Sequence, residues 1–367
     1  MMSKVYDFLK ENEMLPECFD DKAIEKDFLR DIKEKDTVSM IQTFQRSTDS
    51  ELPDESILAI DAGGTNLRFS EYRGGAFSEP VVMPMFGIKE EITADKFFDL
   101  MAYEISKYDA KDIGFCFSYP CEILDNKDGR IILFAKEVKI KNAKGKIIGE
   151  EINKRLAEKR NFSILNDTVA AQLGTSADAG IILGTGFNIC FTDRKQKMII
   201  NSECGQYEGL PFGRFDKMLC KEMKSSKHVA EKLISGAYLG GVIELAADEY
   251  FGRRMPDFEL RDVSELLIGE GILYDFLNST ERNEFREIVS LIQKRAAHYV
   301  ALMLKCLLKG QPKGSVVKVA LEGSTVYKMP GYHEALSAAL SKIPGIECQL
   351  IDARGTLFTG CVRSLLG

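Results

Sequence analysis

An α/β fold of two lobes facing a shared cleft is what this 367-residue sequence predicts. Three observations carry it. The stretch ILAIDAGGTNLRFSEY, Ile57 to Tyr72, is an apolar run, a Gly-Gly turn and a second alternating run, so it predicts a strand, a tight turn and a strand. The stretch GIILGTGFNICFTD, Gly180 to Asp193, repeats the pattern with its turn at Gly184 to Gly186. The chain is also longer than one hydrophobic core usually serves. Duplicated βββαβα cores, each offering one hairpin to an interlobe cleft, account for all three, although two unrelated glycine hairpins fit the same letters.

In chain order, residues 1 to 44 are expected to be helical, because Phe8, Leu9 and Leu15 precede Phe19, and Phe28, Leu29 and Ile32 recur on one face. QRSTDSELPDES, Gln45 to Ser56, is a polar connector. After the first hairpin, Thr93 N-caps a helix to Tyr108. Ile113, Phe115 and Phe117 alternate with small residues as a strand that ends before Pro120, which places Ser118 at a strand end. Asn126 to Arg130 and Asn142 to Lys146 are turns, and Ile148 to Glu158 is a helix. In NFSILNDTVAAQLG a short strand gives way to a helix that starts at Asn166 or Asp167 and ends at Gly174. HVAEKLISG is a short helix, Glu284 to Lys309 a long amphipathic one, and Val316 to Leu321 a strand running into a third glycine turn at EGSTVY. The tail from Ile351 leads into a small helix containing Gly360.

A formal charge of -7, with basic residues scattered among carboxylates, argues against a nucleic-acid partner and for a small molecule. No window supplies the ~20 uninterrupted apolar residues of a membrane span, and the first twenty residues hold no secretory apolar core, so the expected location is cytoplasmic. Nine cysteines without CxxC spacing and only three histidines leave little for a structural zinc site; reduced thiols are expected.

The residues that carry chemistry each have two readings. Gly63 and Gly64 are free to take positive φ and bring backbone N–H groups close to phosphate, with Asp61 where a hydrated metal ion wants a carboxylate; an ordinary hairpin reads the same way. Asp167 at a helix N-terminus is expected to have its pKa held down by the helix dipole, and a plain N-cap is the alternative. Glu203, in a polar loop, and Glu231, on a short helix, are either solvated surface groups or part of a site.

The order of DAGGTN at Asp61, FSYP at Phe117, LNDTVA at Leu165, GTGFN at Gly184, NSECG at Asn201, AEKLISGAY at Ala230, RAAH at Arg295 and EGSTVYK at Glu322 resembles the hexokinases, sugar kinases of the two-lobed actin-like ATPase (ribonuclease H-like) fold. The resemblance runs from about Met40 to Tyr327, and the classical P-loop and dinucleotide fingerprints are absent. It implies a smaller lobe of residues 56–167 with 352–367 and a larger lobe of residues 1–55 with 168–351. It implies ATP and Mg²⁺ as cofactors, and a hexose, glucose first, phosphorylated at its 6-hydroxyl for glycolysis by a monomer or homodimer. Asp167 matches the catalytic base and Lys136 a lysine beside the reacting groups. Ser118, Asn166, Asn188, Glu203, Glu231 and His228 match the sugar-binding set, with His228 where glutamine is common. Asp61, Gly63, Gly64, Thr65, Asn66 and Arg68, with Gly184, Thr185 and Gly186, match the two phosphate hairpins, Asp61 reaching Mg²⁺ through water. Gly323 and Ser324 match a loop near the nucleotide base and ribose.

The sequence departs from the pattern at Ala135, where threonine is usual, at Ala237, at Cys204, which replaces tryptophan, and across Ala353 to Gly360, which lacks the usual glycine- and serine-rich run. Hexose preference and donor contacts are therefore open. A non-catalytic hexose sensor of the same fold, and an actin-like filament or chaperone ATPase, are the alternatives.

Overall fold

The computed structural model describes residues 3–46, 50–134 and 138–366. Each hairpin begins one half of a repeated unit. The first half runs β1 (Ile57–Ala62), β2 (Asn66–Arg73), β3 (Ala76–Phe77), α1 (Ala94–Ile105), β4 (Asp112–Phe117), α2 (Ile148–Asn153), β5 (Asn161–Leu165) and α3 (Asp167–Thr175). The second runs β6 (Ala179–Leu183), β7 (Phe187–Asp193), β8 (Met198–Asn201), α4 (Ser279–Leu307), β9 (Ser315–Glu322), α5 (Tyr332–Leu340), β10 (Ile346–Asp352) and α6 (Leu357–Arg363), with further helices between β8 and α4. Both sheets have the same order. It is β5-β4-β1-β2-β3 in the first and β10-β9-β6-β7-β8 in the second, with an antiparallel hairpin and two parallel neighbours in each. The predicted βββαβα core is thus present twice, and each copy extends by a further strand and helix.

Each sheet has its own core. Phe97, Phe98 and Met101 of α1 pack on Leu58, Ile60, Phe115 and Phe117 in the first; α4 buries Ile288, Ile292, Ala296 and Val300 against the cluster that contains Ile181, Ile189, Val319 and Leu321 in the second. A smaller cluster of mostly small residues, including Ala59, Cys116, Val169, Ala170, Cys190 and Cys361, joins them. There the terminal helix of each half lies on the other half's sheet. Helix α3 reaches the second sheet, where the Cys190 thiol donates to the Thr168 carbonyl at 3.2 Å and Gln172 Nε2 donates to Thr192 Oγ1 at 2.8 Å. Helix α6 reaches the first, close enough that a Cβ on Gly114 would stand 2.1 Å from the Cys361 carbonyl oxygen. The two helices meet through Gly360, where a Cβ would lie 2.0 Å from the Ala170 carbonyl oxygen.

Several expectations change. The helical N-terminal region ends at Glu34, and Ile41–Gln42 is instead a short strand antiparallel to β8. Gln45, read as part of a polar connector, is buried: its Nε2 donates to Ser163 Oγ at 2.8 Å in β5 while its carbonyl accepts from Ile199 N–H in β8, so it ties the two sheets together. The third glycine turn, at EGSTVY, is short: Gly323 has φ 125° and Ser324–Lys328 is helical directly after it. Neither Gly63 nor Gly64 has positive φ, and a Cβ on Gly64 would meet nothing within 4 Å. Arg295 of the RAAH stretch has a structural partner, a buried two-pronged ion pair with Asp216 at 2.6 and 2.8 Å. All nine cysteines carry free thiols and six of them are buried.

Candidate functional site

Asp167 is the first residue of α3, immediately after β5, so it stands where the first sheet ends and the crossing helix begins. Asn166 N-caps that helix through Oδ1, which accepts from Thr168 N–H at 3.0 Å. With that role filled by its neighbour, the Asp167 carboxylate accepts from Thr168 N–H at 2.8 Å and from Ser118 at the end of β4. Its pKa is raised, contrary to the sequence expectation. Burial is the largest cause and the Asp61 carboxylate adds to it, together outweighing the hydrogen bonds from Thr168 and Ser118.

On one side of Asp167 lies the first hairpin. Asp61 is buried at the end of β1 and accepts from the Arg68 guanidinium of β2 at 2.7 Å, across a rung that pairs the two residues directly. Burial raises the Asp61 pKa, and Arg68 and the Cys116 thiol oppose that shift. Gly63 N–H donates to the Asn66 carbonyl and closes the turn, Tyr119 Oη donates to the Gly63 carbonyl at 2.8 Å, and Gly64 and Thr65 are exposed. Tyr119 has no signal in the glycine motif that would have marked it as the support of this turn.

On the other side is a polar relay. Asn188 of β7 donates to Thr168 Oγ1 at 3.2 Å and to Asn201 Oδ1 at 2.7 Å, and Asn201 donates to Glu203 Oε1 at 2.7 Å. Glu203 is held with φ 55°, and its pKa is pushed up to about 7 by burial, with Asp167 and Glu231 contributing. A small recess open to solvent is lined by Asn166, Asn201, Glu203, Phe117, Tyr119 and Thr43 among others. Glu231 faces the second hairpin, 3.0 Å from where a Cβ on Gly186 would stand. His228 lies beside Glu231, with Nδ1 3.8 Å from Oε2, on the exposed rim. Asn188 and Asn201 therefore orient Glu203; the pairing of these three was not legible from their spacing, because it depends on β7 and β8 being neighbours in the sheet.

The second hairpin is backed by other elements. Gly184 N–H donates to the Gly186 carbonyl, and Gly236 N–H and Ala237 N–H donate to the Gly184 and Thr185 carbonyls. Gly323, with φ 125°, touches it so closely that a Cβ would be 2.4 Å from the Leu183 carbonyl, which leaves glycine as the residue that fits. Ser324 follows it, exposed. Lys136 and Ala135 lie outside the described residues.

Among the described residues no three His, Cys, Asp or Glu side chains form a metal cage. A divalent ion held by phosphate and water would meet Asp61 through one of those waters, the ordinary manner for Mg²⁺, and a single carboxylate beside an exposed turn suits that role. No helix among the described residues is long and apolar enough to cross a membrane.

Two family models, both described as hexokinase, match the chain, one over residues 20–177 and the other over residues 178–255 and 251–354. The chain is 24% identical over 389 residues to the hexokinase-like 1 protein of Arabidopsis thaliana, covering 84% of this chain and 78% of that one. It is 27% identical over 365 residues to the chloroplastic hexokinase-2 of Nicotiana tabacum, covering 79% and 73%. Its fold is similar to that of a hexokinase from Schistosoma mansoni complexed with glucose, with a TM-score of 0.73, 18% identity and 98% of each chain covered.

Proposed function

From the premise that the chain belongs to the hexokinase family, we propose that it transfers the γ-phosphoryl group of ATP to the 6-hydroxyl of a hexose, glucose first, in the cytoplasm, feeding glycolysis. The observation that carries the reading is the position of Asp167: a half-buried carboxylate of raised proton affinity at the junction of the two halves, with Asp61 on one side and Ser118, Asn166 and Glu203 on the other.

In this reading the sugar lies in the recess, with Glu203, Glu231, Asn166 and Ser118 taking its hydroxyls; a site built of such groups rejects ligands that leave them unpaired. Asn188 and Asn201 hold Glu203 in place. Asp167 accepts the proton of the 6-hydroxyl as that oxygen bonds to phosphorus and the bond from phosphorus to the ADP oxygen breaks. A base of raised pKa takes a proton from an alcohol more readily, provided it is ionised when the sugar arrives. Closure of the two lobes over the sugar excludes water, which would otherwise compete as the acceptor. The exposed backbone of the two turns, with Arg68, holds the triphosphate; Mg²⁺, when bound, neutralises charge on the β- and γ-oxygens. We take residues 56–167 with 352–367 as one lobe and residues 1–55 with 168–351 as the other, closing about the crossing of α3 and α6.

A coupled assay for sugar phosphate with Mg-ATP and a panel of glucose, mannose, fructose and an amino sugar tests the reading. Turnover with glucose or a near relative is the expected result. Hexose binding by calorimetry without turnover on any member of the panel would replace it with a sensor of the same fold.

A further inference from the structure

The strands β6, β9 and β10 are parallel neighbours, and their carboxyl ends carry the Gly184–Gly186 turn, the Glu322–Ser324 segment and the Asp352–Gly355 segment along one edge. Ligands of open α/β sheets bind in the crevice outside such ends. The third segment places an arginine, Arg354, there.

Arg354 is fixed in an unusual manner for an exposed residue. Its Nε lies 3.0 Å from each Asp352 carboxylate oxygen and its Nη2 is 2.6 Å from Oδ2. The guanidinium carbon sits 4.0 Å from the centroid of the Tyr327 ring. Tyr327 is itself anchored, donating from its hydroxyl to the Leu321 carbonyl at 3.0 Å and stacking at 29° on His333 with centroids 5.8 Å apart. One edge and one face of the guanidinium are therefore occupied, and the side chain is still 58% exposed, so the free surface is the opposite planar face. Beside it, Glu322 Oε2 is buried without a hydrogen-bond donor among the described residues.

We propose that Arg354 determines the choice of phosphoryl donor by stacking its free face on the donor's base, with Glu322 accepting from a ribose hydroxyl; the proposal rests on the phosphotransfer reading above for where the phosphates lie. With the phosphates at the Gly184–Gly186 turn, the base lies two strand spacings away, ~10 Å, which is about the length of a nucleoside. A planar guanidinium stacks on a ring where an ammonium cannot. The larger purine face gains more from the stack than a pyrimidine does, and since Arg354 offers its face rather than its donors, adenine and guanine are treated alike.

Calorimetry on the full chain with Mg·ADP, Mg·GDP, Mg·UDP and Mg·pyrophosphate reads this without any turnover. The wild type is expected to bind ADP and GDP similarly and UDP several-fold more weakly. Arg354→Ser should weaken ADP about tenfold, UDP less, and pyrophosphate less than twofold; Arg354→Lys should behave like the serine variant. Failure of the wild type to bind Mg·ADP, an unchanged ADP affinity in Arg354→Ser, full rescue by lysine, or an equal loss with pyrophosphate would each overturn the proposal. If the wild type binds Mg·ADP and phosphorylates no hexose, the transfer reading fails while the stacking result still decides this one.

Discussion

In the first half the rung below the turn joins Asp61 to Arg68, and in the second half the same rung joins Ile182 to Asn188. The backbones around these rungs are alike: in both, the first glycine N–H donates back to the carbonyl at the far side of the turn, and the strand order around the hairpin is the same. The side chains send them to different work. The first rung holds a buried carboxylate and a guanidinium that is 43% exposed, a pair suited to polyphosphate and its cation. The second has no charge on the rung, and Asn188 turns toward Asn201, which donates to Glu203. A duplicated backbone thus carries an ion pair on one rung and an apolar residue with an amide on the other, and Asp167 stands at the seam.

The largest effect is expected at the seam. Asp167→Asn should lower kcat about 10³-fold and leave hexose affinity by calorimetry within about threefold, because Ser118, Asn166 and Glu203 stay in place; substantial residual turnover would remove Asp167 from the role of base. Next comes the rung itself. Asp61→Asn should lower kcat/KM for Mg-ATP about 10²-fold without changing hexose binding, whereas Ile182→Asn at the matching rung should cost less than about threefold. Equal losses in steady-state kinetics would show that the two rungs do the same work.

The smallest effect is one of stability. Glu203 has an ordinary pKa of 4.5 and about 7 in the folded chain. The folded state therefore holds the proton more tightly, so the protein is stabilised where Glu203 is protonated and loses that contribution as pH rises from about 4.5 through about 7. Glu203→Gln has no such dependence. Between about pH 5 and about pH 8 its sugar-free Tm should fall less than that of the wild type, by a few degrees; parallel Tm curves would mean that Glu203 is not held in the half-buried, acid-faced setting described.

The periodicity of the sequence determined the elements on its own wherever a pattern was long or punctuated: both hairpins, the Thr93 cap, the strand before Pro120, the strand into α3 and the long helix α4 follow from alternation, helical spacing and turn residues. The order of its motifs also marked Asp61, Asp167, Glu203 and Glu231 as belonging together. What the letters did not contain is anything that depends on which strand lies beside which. Gln45 reads as a polar linker until β5 and β8 are seen on either side of it, and nothing in the letters marks Tyr119 until its hydroxyl meets Gly63. The proton affinity of Asp167 is the clearest case: its place at a helix start is local and predicts a depressed pKa, but burial and the approach of Asp61, more than a hundred residues earlier in the chain, are tertiary, and in a setting of low polarity they win.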